Sequence, residues 1–443
     1  MSALSQTLDS LLLLARMGRR NLGRNRRRTV VTVVGLGLGL ALAMASWVLV
    51  DGYLRGTIDA MVGGTTGHFR VVHPGQLGDP NLFDVIPEPA QVAREVEQVA
   101  GVRAVAPRVT SAVLLAVGDR SAGAMLEGLD PQAEPGVSRR VDQVVEGRFV
   151  AAPAEVVLGL DLAEALQARP GSEVLAISQA ADGSMANALW TVVGLADARS
   201  DTANQVLVWV TLDEAQSFLA LDGAHVLVGV VEDADAVGPV VRAIAALPGF
   251  AGVAADLTPG AAAEGGLPAN LRVSGDAPRV VRSWRAINPF MAQMYELGRS
   301  WTLIGVALVL ITAGLGAANT MAMSVRERTR ELGILIAVGM RPRQMIGLVL
   351  FESLALYVWS AVVGSVLGGA LCGWLVREGL DYSDTSTDWV MAGVAVEPVI
   401  HGVWSAAAWW VPVLMLGGVT VVSSLLPALH AARLDPVQAM QRR

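Results

Sequence analysis

The sequence predicts a membrane α-helical protein in which four transmembrane helices carry a large α/β domain inserted between the first and the second. Three observations predict it. Of 443 residues, 53% are hydrophobic and only 16% charged, which is too apolar for an ordinary soluble enzyme of this length. Four stretches of 22 to 28 residues hold no charged side chain, and about 20 consecutive apolar residues are enough for a helix to cross the hydrocarbon core. Between the first two stretches lies a segment, 55–299, with 17 arginines and 29 acids; that is the composition of a solvated domain of one or two compact units.

Taken in order, residues 1–28 form an N-terminal amphipathic helix: Leu4, Leu8, Leu11, Leu12 and Ala15 fall on one helical stripe along the membrane surface. The first transmembrane helix occupies 29–54, its charge-free run Thr29–Val50 lying between Arg26-Arg27-Arg28 and Asp51. Ala43-Met44-Ala45 matches a signal-peptidase pattern. The 28-residue basic region and the 22-residue apolar run exceed a signal peptide's usual core of about 7–15 residues, so the segment reads as retained.

Within 55–299, strands are expected at 68–73, 109–117, 155–159, 173–177, 189–193, 206–210 and 224–231, with helices at 87–100, 162–166 and 236–247. These divide into a β-α-β part, 55–118 with 224–299, and a β-rich insertion, 119–223. The stretch 251–282 is rich in Ala, Gly and Pro and reads as loop. The second helix occupies 300–325, a polar segment 326–343, the third helix 344–377, a short loop 378–401, the fourth helix 402–432 and a tail 433–443.

Arginine fixes the orientation. Residues 1–28 hold seven arginines against one acid, 326–343 five against two and 433–443 three against one, whereas 378–400 holds five acids and no base. Both termini and 326–343 are therefore expected in the cytoplasm, and the large domain outside.

Several chemistries are excluded. The chain contains no lysine, so it has neither the P-loop lysine that reaches the β/γ-phosphates nor a Schiff-base amine. A single cysteine, Cys372, rules out an internal disulfide or a multi-cysteine metal site. His68 and His73 are five apart and face opposite sides of one strand, and no HExxH, GxSxG or EF-hand pattern occurs. No catalytic or metal residues are expected, and no nucleic acid. The spans carry no charged relay of the kind an ion-coupled transporter needs. Met44, Trp47, Asn319 and Met321 are candidates for a membrane-facing cavity, since methionine adapts to varied apolar ligands and as readily fills gaps. Small residues (Gly35 and Gly39; Ala313 and Ala317; Gly364, Gly368, Gly369 and Gly373) suit close helix packing.

After the second helix the chain reads Ser324-Val325-Arg326-Glu327-Arg328-Thr329-Arg330-Glu331-Leu332-Gly333-Ile334-Leu335-Ile336-Ala337-Val338-Gly339-Met340. This is a short helix of alternating charge with an apolar patch at Leu332, Leu335 and Ile336, stopped near Gly339 and Pro342. On these residues alone it reads equally as a helix that docks in a partner's groove and as an interfacial helix that anchors the span.

The wording of that segment resembles the RERxxEIGxxxAxG coupling segment of the FtsX-like, macrolide-exporter-type ABC transporter permeases. Three other stretches agree: Arg16–Arg28, Ser283-Trp284-Arg285-Ala286-Ile287-Asn288-Pro289, and Pro427 with Ala431–Met440. Gly67-His68-Phe69-Arg70-Val71 and Pro74-Gly75 resemble the lipoprotein-releasing branch most closely. The resemblance covers the whole chain, including the arrangement of one span, a large periplasmic domain and three spans. It departs at Ile336, where the family usually has a basic residue.

The resemblance implies a permease subunit of the bacterial inner membrane rather than an enzyme. It would bind no cofactor itself, ATP and Mg residing on a partner ABC ATPase subunit, and would pair with a second permease copy or a paralogue. It implies that Arg326, Glu327, Arg328, Glu331, Leu332, Gly333, Ile334, Ala337 and Gly339 couple ATPase closure to the periplasmic domain by mechanotransmission. The function implied first is release of lipoproteins from the membrane lipid. The alternatives are drug or peptide efflux through a periplasmic adaptor and non-transporting regulation of a cell-wall hydrolase.

Overall fold

The computed structural model describes residues 26–78, 81–253, 256, 272–273, 277–382, 390–391, 394–395 and 399–434; the N-terminal amphipathic stripe, most of 251–282 and the end of the tail lie outside them. The described residues fall into two compact units, one drawn from Met1–Arg55, Glu296–Asp384 and Val399–Arg443, the other from Gly56–Tyr295 and Thr385–Pro398.

The first element, α1, runs Arg26–Met61 and passes into a π-turn at Val62–Thr66. Its 36 residues span about 54 Å at 1.5 Å per residue, well beyond the ~30 Å of a bilayer core. Past its charge-free run the helix continues through Asp51 and Arg55, which sit one turn apart and pair at 3.8 Å. At the end of the π-turn, Gly67 has φ 68°, and a Cβ there would lie 2.4 Å from Val228 Cγ1; only glycine fits.

The α/β unit follows in chain order: β1 (Phe69–Val72), α2 (Pro89–Glu97), β2 (Val102–Val117), β3 (Arg120–Leu129), β4 (Val144–Gly147), β5 (Glu155–Gly159), α3 (Leu160–Leu166), β6 (Glu173–Gln179), β7 (Met185–Ala196), β8 (Leu207–Thr211), α4 (Leu212–Leu219), β9 (Val226–Val231), α5 (Val237–Ala245), β10 (Phe250–Gly252) and β11 (Arg279–Ser283). One 11-stranded sheet contains every one of these strands in the order β10-β11-β1-β9-β2-β3-β8-β5-β7-β4, with β6 bridging β2 and β7.

That bridge closes β2, β3, β8, β5, β7 and β6 into a six-stranded barrel. Alternation along each strand decides which residues fill it: Val113, Leu115, Leu126, Val156, Leu158, Val174, Trp190, Val192, Val208 and Val210 are buried, while Leu114, Met125, Leu175 and Leu189 remain exposed outside. Helices α3 and α4 contribute Leu162, Leu166, Phe218 and Leu219 to the same core. Trp190 packs on Phe218 with ring centroids 5.0 Å apart, and its indole N–H donates to Glu214 Oε1 at 2.7 Å. In the open part of the sheet, α2 buries Val92, Ala93 and Val96, and α5 buries Val237, Val240, Val241 and Ile244.

Strand β2 belongs to both regions. Its first part pairs with β9 and its second with β3 and β6, so the sheet runs without interruption from the β-α-β part into the barrel.

The remaining long helices are α6 (Pro289–Glu327), α8 (Pro342–Arg377) and α9 (Ala406–Ala432), with the short α7 (Thr329–Ala337) between α6 and α8. With α1 they are, among the described residues, the four helices long and apolar enough to cross a membrane. Their core holds Leu36, Leu40, Met44, Trp47 and Val48 of α1 with Val306, Leu310 and Ala317 of α6, Cys372 and Leu375 of α8, and Ala408, Val413 and Leu416 of α9. Small residues set the approach of the backbones. A Cβ on Gly364 would meet Gly37 O at 2.8 Å, one on Gly368 would meet Met44 Sδ at 2.9 Å, and one on Gly39 would meet Ala313 Cβ at 3.0 Å. Gly35 and Gly373 have no such neighbour within 4 Å, so only part of the expected small-residue pattern packs here. Pro412 and Pro427 do not interrupt α9, which runs through both.

Candidate functional site

The connection between α6 and α8 is built by local rules. Helix α6 ends at Glu327, and Arg328 leaves helical geometry (φ −106°, ψ 14°) before α7 restarts at Thr329, whose hydroxyl donates back to Arg326 O at 2.8 Å. Helix α7 stops because Gly339 takes φ 101°; the Gly339 and Met340 N–H groups close back on Ile336 O and Leu335 O, each at 3.0 Å. Pro342 then opens α8 at a position that needs no N–H donor, and the Gln344 side chain accepts from the Arg341 N–H at 2.9 Å.

Burial sorts the segment into two faces. Leu332 and Gly333 are buried, and Leu335 and Ile336 are partly buried against Val33, Met321, Val325, Met345, Leu348, Val349, Ala428 and Ala431. The apolar patch, which reads equally as docking a partner and as anchoring the span, packs here on α7's own bundle. Periodicity reports that a helix has an apolar face but not what covers it. Ile336, at the position where the family usually has a base, sits on this covered side.

The outer face carries Arg326, Arg330, Ile334, Ala337, Val338, Gly339, Arg341 and Arg343, all exposed. Ile334 and Val338, one turn apart, are 47% and 83% accessible. The exposed part of the segment thus combines a small apolar pair with four arginines, a surface suited to an apolar groove with acidic neighbours.

The remaining charges pair with one another. Arg328 reaches Glu331 Oε2 through Nε and Glu352 Oε2 through Nη1, each at 3.2 Å. Arg28, at the start of α1, meets Glu327 Oε2 at 2.7 Å. Glu352 and Arg28 were not singled out from the sequence. The available signal was that Glu352 is the sole acid in the 36 residues of α8, and an acid inside an apolar helix requires a partner.

The four cavity candidates do not converge. Met44 and Trp47 are packed in the α1/α6/α8/α9 core, Met321 in the cluster beneath α7, and Asn319 is exposed on α6. In these positions Met44 and Trp47 fill space rather than line a void, and Met321 borders only a residual gap of about 10 Å³ beside Arg328 and Glu352.

The α/β unit contains a buried charge network. Arg108 grips Glu134 with Nη2 at 2.6 Å and Nε at 3.2 Å, and Ser138 Oγ donates to the same carboxylate at 2.5 Å. Arg140 meets Glu127 at 2.6 Å, donates from Nε to Gly64 O at 3.2 Å and lies 5.5 Å over the Trp209 ring. Burial would raise the Glu127 carboxyl, but Arg140 and Arg108 beside it, with hydrogen bonds from Arg140 and Trp209, hold it below the usual range. Burial likewise pushes the neighbouring Arg70 down to about 10, with Arg108 adding to the effect. Above the network lies a cleft of about 610 Å³ lined by Asp59, Arg139, Arg140, Asp142, Arg199 and Trp209, among others. His68 is buried in the sheet, and His73 Nδ1 lies 3.3 Å from Asp84. Among the described residues no group of three or more His, Cys, Asp or Glu could hold a metal ion.

Residues 303–436 match the FtsX-like permease C-terminal family, and residues 29–247 match the MacB-like periplasmic core domain. The chain is similar to the pyoverdine export ATP-binding/permease protein PvdT of Pseudomonas entomophila, with 37% identity over 134 residues, 30% of this chain and 17% of that protein. It is also similar to the macrolide export ATP-binding/permease protein MacB of Syntrophobacter fumaroxidans, with 33% identity over 141 residues, 31% of this chain and 17% of that protein. The matched region is thus under a fifth of the length of these relatives. Among solved structures, the periplasmic region of MacB from Actinobacillus actinomycetemcomitans aligns with 54% of this chain and 95% of its own length, with 13% identity and a TM-score of 0.34.

Proposed function

Because the chain belongs to the FtsX-like permeases that carry a MacB-like periplasmic core domain, we propose that it is the membrane-spanning part of an ABC exporter, driven through the outer face of α7 by ATP hydrolysed outside these 443 residues. The observation that carries the reading is the exposure of Ile334 and Val338 in one segment with exposed Arg326, Arg330, Arg341 and Arg343. An apolar ridge held out by a helix whose other face is fastened to the bundle is placed to take a push. The absence of lysine from the chain removes the P-loop as a local source of energy, so ATP and Mg belong to the ATP-binding partner.

The arginine-rich segments lie together on the cytoplasmic side of an inner membrane in this reading, with both termini there and the α/β unit in the periplasm. A second permease copy or a paralogue completes the assembly. The relatives named for pyoverdine and macrolide export favour export as the activity. Release of lipoproteins is the second reading, and it rests on the Gly67–Gly75 wording alone.

The test is a pull-down of the tagged chain from native membranes in mild detergent, comparing the parent with Ile334→Asp/Val338→Asp. Capture of an ATP-binding protein by the parent and its loss in the variant, with the variant still inserted at parental levels, is the expected result. A co-captured periplasmic adaptor would place the chain in export, an acylated protein in lipoprotein release and a cell-wall hydrolase in regulation. No ATP-binding protein under any condition would sink the transporter reading.

A further inference from the structure

We propose that Glu352 is a positioning residue that, through Arg328, fastens α7 to α8, so that a displacement of α7 is carried into the membrane-spanning helices; this rests on the reading of 326–343 as the coupling segment. Helix α7 has nine residues, too few to be stable alone, since isolated helices below about 12–15 residues are marginal in water. Its position is therefore set by its contacts, and these are of two kinds. Leu332, Leu335 and Ile336 pack on the bundle, but apolar contact is non-directional and tolerates sliding. The Arg328 guanidinium is directional. It stands at the N-cap of α7, forks between Glu331 on its own helix and Glu352 on α8 at 3.2 Å each, and is 18% exposed.

Glu352 is buried, at 8% exposure. Mostly apolar residues surround the pair: Met321, Ser324, Val325, Leu332, Leu348 and Val349 line the residual space beside it. Water screens such a pair weakly, and removing one member leaves the other as an uncompensated buried charge. Arg28–Glu327 at 2.7 Å ties the start of α1 to the last residue of α6, immediately before Arg328. Five charged side chains thus link α1, α6, α7 and α8, and of these pairs the Arg328–Glu352 contact is the one that crosses directly from α7's own N-cap to a transmembrane helix. Without Glu352, Arg328 keeps only Glu331, a partner on the same short helix, and the polar tie to α8 is lost.

The experiment uses the full chain in lipid nanodiscs, with Cys372→Ala as background and a nitroxide at Ile334→Cys. The label reports α7 mobility without any partner. Glu352→Gln is expected to raise that mobility, whereas Glu378→Gln, at the far end of α8, leaves it at the parental value. An unlabelled Glu352→Gln chain is expected to capture as much ATP-binding protein as the parent, because the outer ridge is intact, while the permease no longer alters the rate of ATP hydrolysis. Unchanged label mobility in Glu352→Gln overturns the proposal, as does unimpaired control of hydrolysis. Loss of capture also overturns it, since the pair would then serve to shape the docking ridge rather than to transmit. If the parent itself captures no ATP-binding protein, the functional reading fails while the label still decides whether Glu352 holds α7.

Discussion

His68 shows how a residue that invites a functional reading is accounted for by its surroundings. It is buried, its Nδ1 accepts from the Val231 N–H at 3.3 Å, and Nε2 has no hydrogen-bond partner among the described residues. Burial, and secondarily the positive charge of Arg103, push its pKa down to about 4. The unfolded chain then binds the proton more readily than the folded one between the ordinary value near 6.5 and about 4. Stability attributable to this site is full above that window and is lost as pH falls through it. Glu155 acts lower on the scale. Held by Arg148 and the Ala151 and Ala152 N–H groups at a pKa of about 2, it contributes stability above its ordinary value that is lost as pH falls towards 2. Hydrogen exchange on the full chain is expected to show the Val231 amide losing protection as pH drops from 6.5 towards 4. His68→Gln, which keeps an acceptor without a titrating ring, is expected to flatten that response. An identical pH response in the variant would assign the loss to other groups.

Among the elements, a helix approach closed against a neighbouring backbone is sensitive to size. Gly364 of α8 lies where any Cβ would meet Gly37 O and Leu40 at 2.8 Å, so Gly364→Val is expected to destabilise the bundle by about 1–3 kcal/mol, the usual cost of overpacking. Gly373→Ala, with open space around it, should be neutral within about 0.5 kcal/mol. Thermal unfolding of the full chain in nanodiscs compares the two, and equal loss in both would refute the packing argument.

The same scale explains what could be read before the fold was known. Strand 155–159 is built on Val156-Val157-Leu158 and strand 226–231 on Val226-Leu227-Val228 and Val230-Val231, and helix 89–97 carries Val92 and Val96 one turn apart, so local pattern sufficed. Strand β3 contains Gly123 and Gly128, residues depleted in strands. Gly128 is there because a Cβ would lie 2.3 Å from Ala215 on α4, a constraint from a helix 84 residues further on that no local window contains. In the candidate site, charge alternation announced a polar helix, and Arg328 and Glu331 could be named. The partner of Arg328 is 24 residues away on another helix, and which of α7's two sides would be covered depended on that geometry.

At the scale of the whole molecule, the distribution of arginine makes a prediction about sidedness. With a single cysteine placed at Arg343 or at Asp182 in a Cys372→Ala background, an impermeant maleimide applied to intact spheroplasts is expected to label Asp182→Cys and to leave Arg343→Cys unlabelled until the membrane is opened. The reverse pattern would invert the topology and remove the α7 ridge from the compartment that holds ATP. The family assignment and the four apolar helices fit one such threading, and the chain alternates basic and acidic connections in register with it.

Strand β2 gives the α/β unit a mechanical character. Its 16 residues, about 53 Å at ~3.3 Å each, are laddered to β9 at one end and to β3 and β6 at the other. The open sheet and the barrel are therefore two ends of a single beam, with no flexible joint between them. A tug along that beam loads its hydrogen bonds side by side, in shear, instead of opening them one after another like a zipper. Force entering at the open-sheet end would arrive at the barrel as displacement, with little spent in stretching on the way.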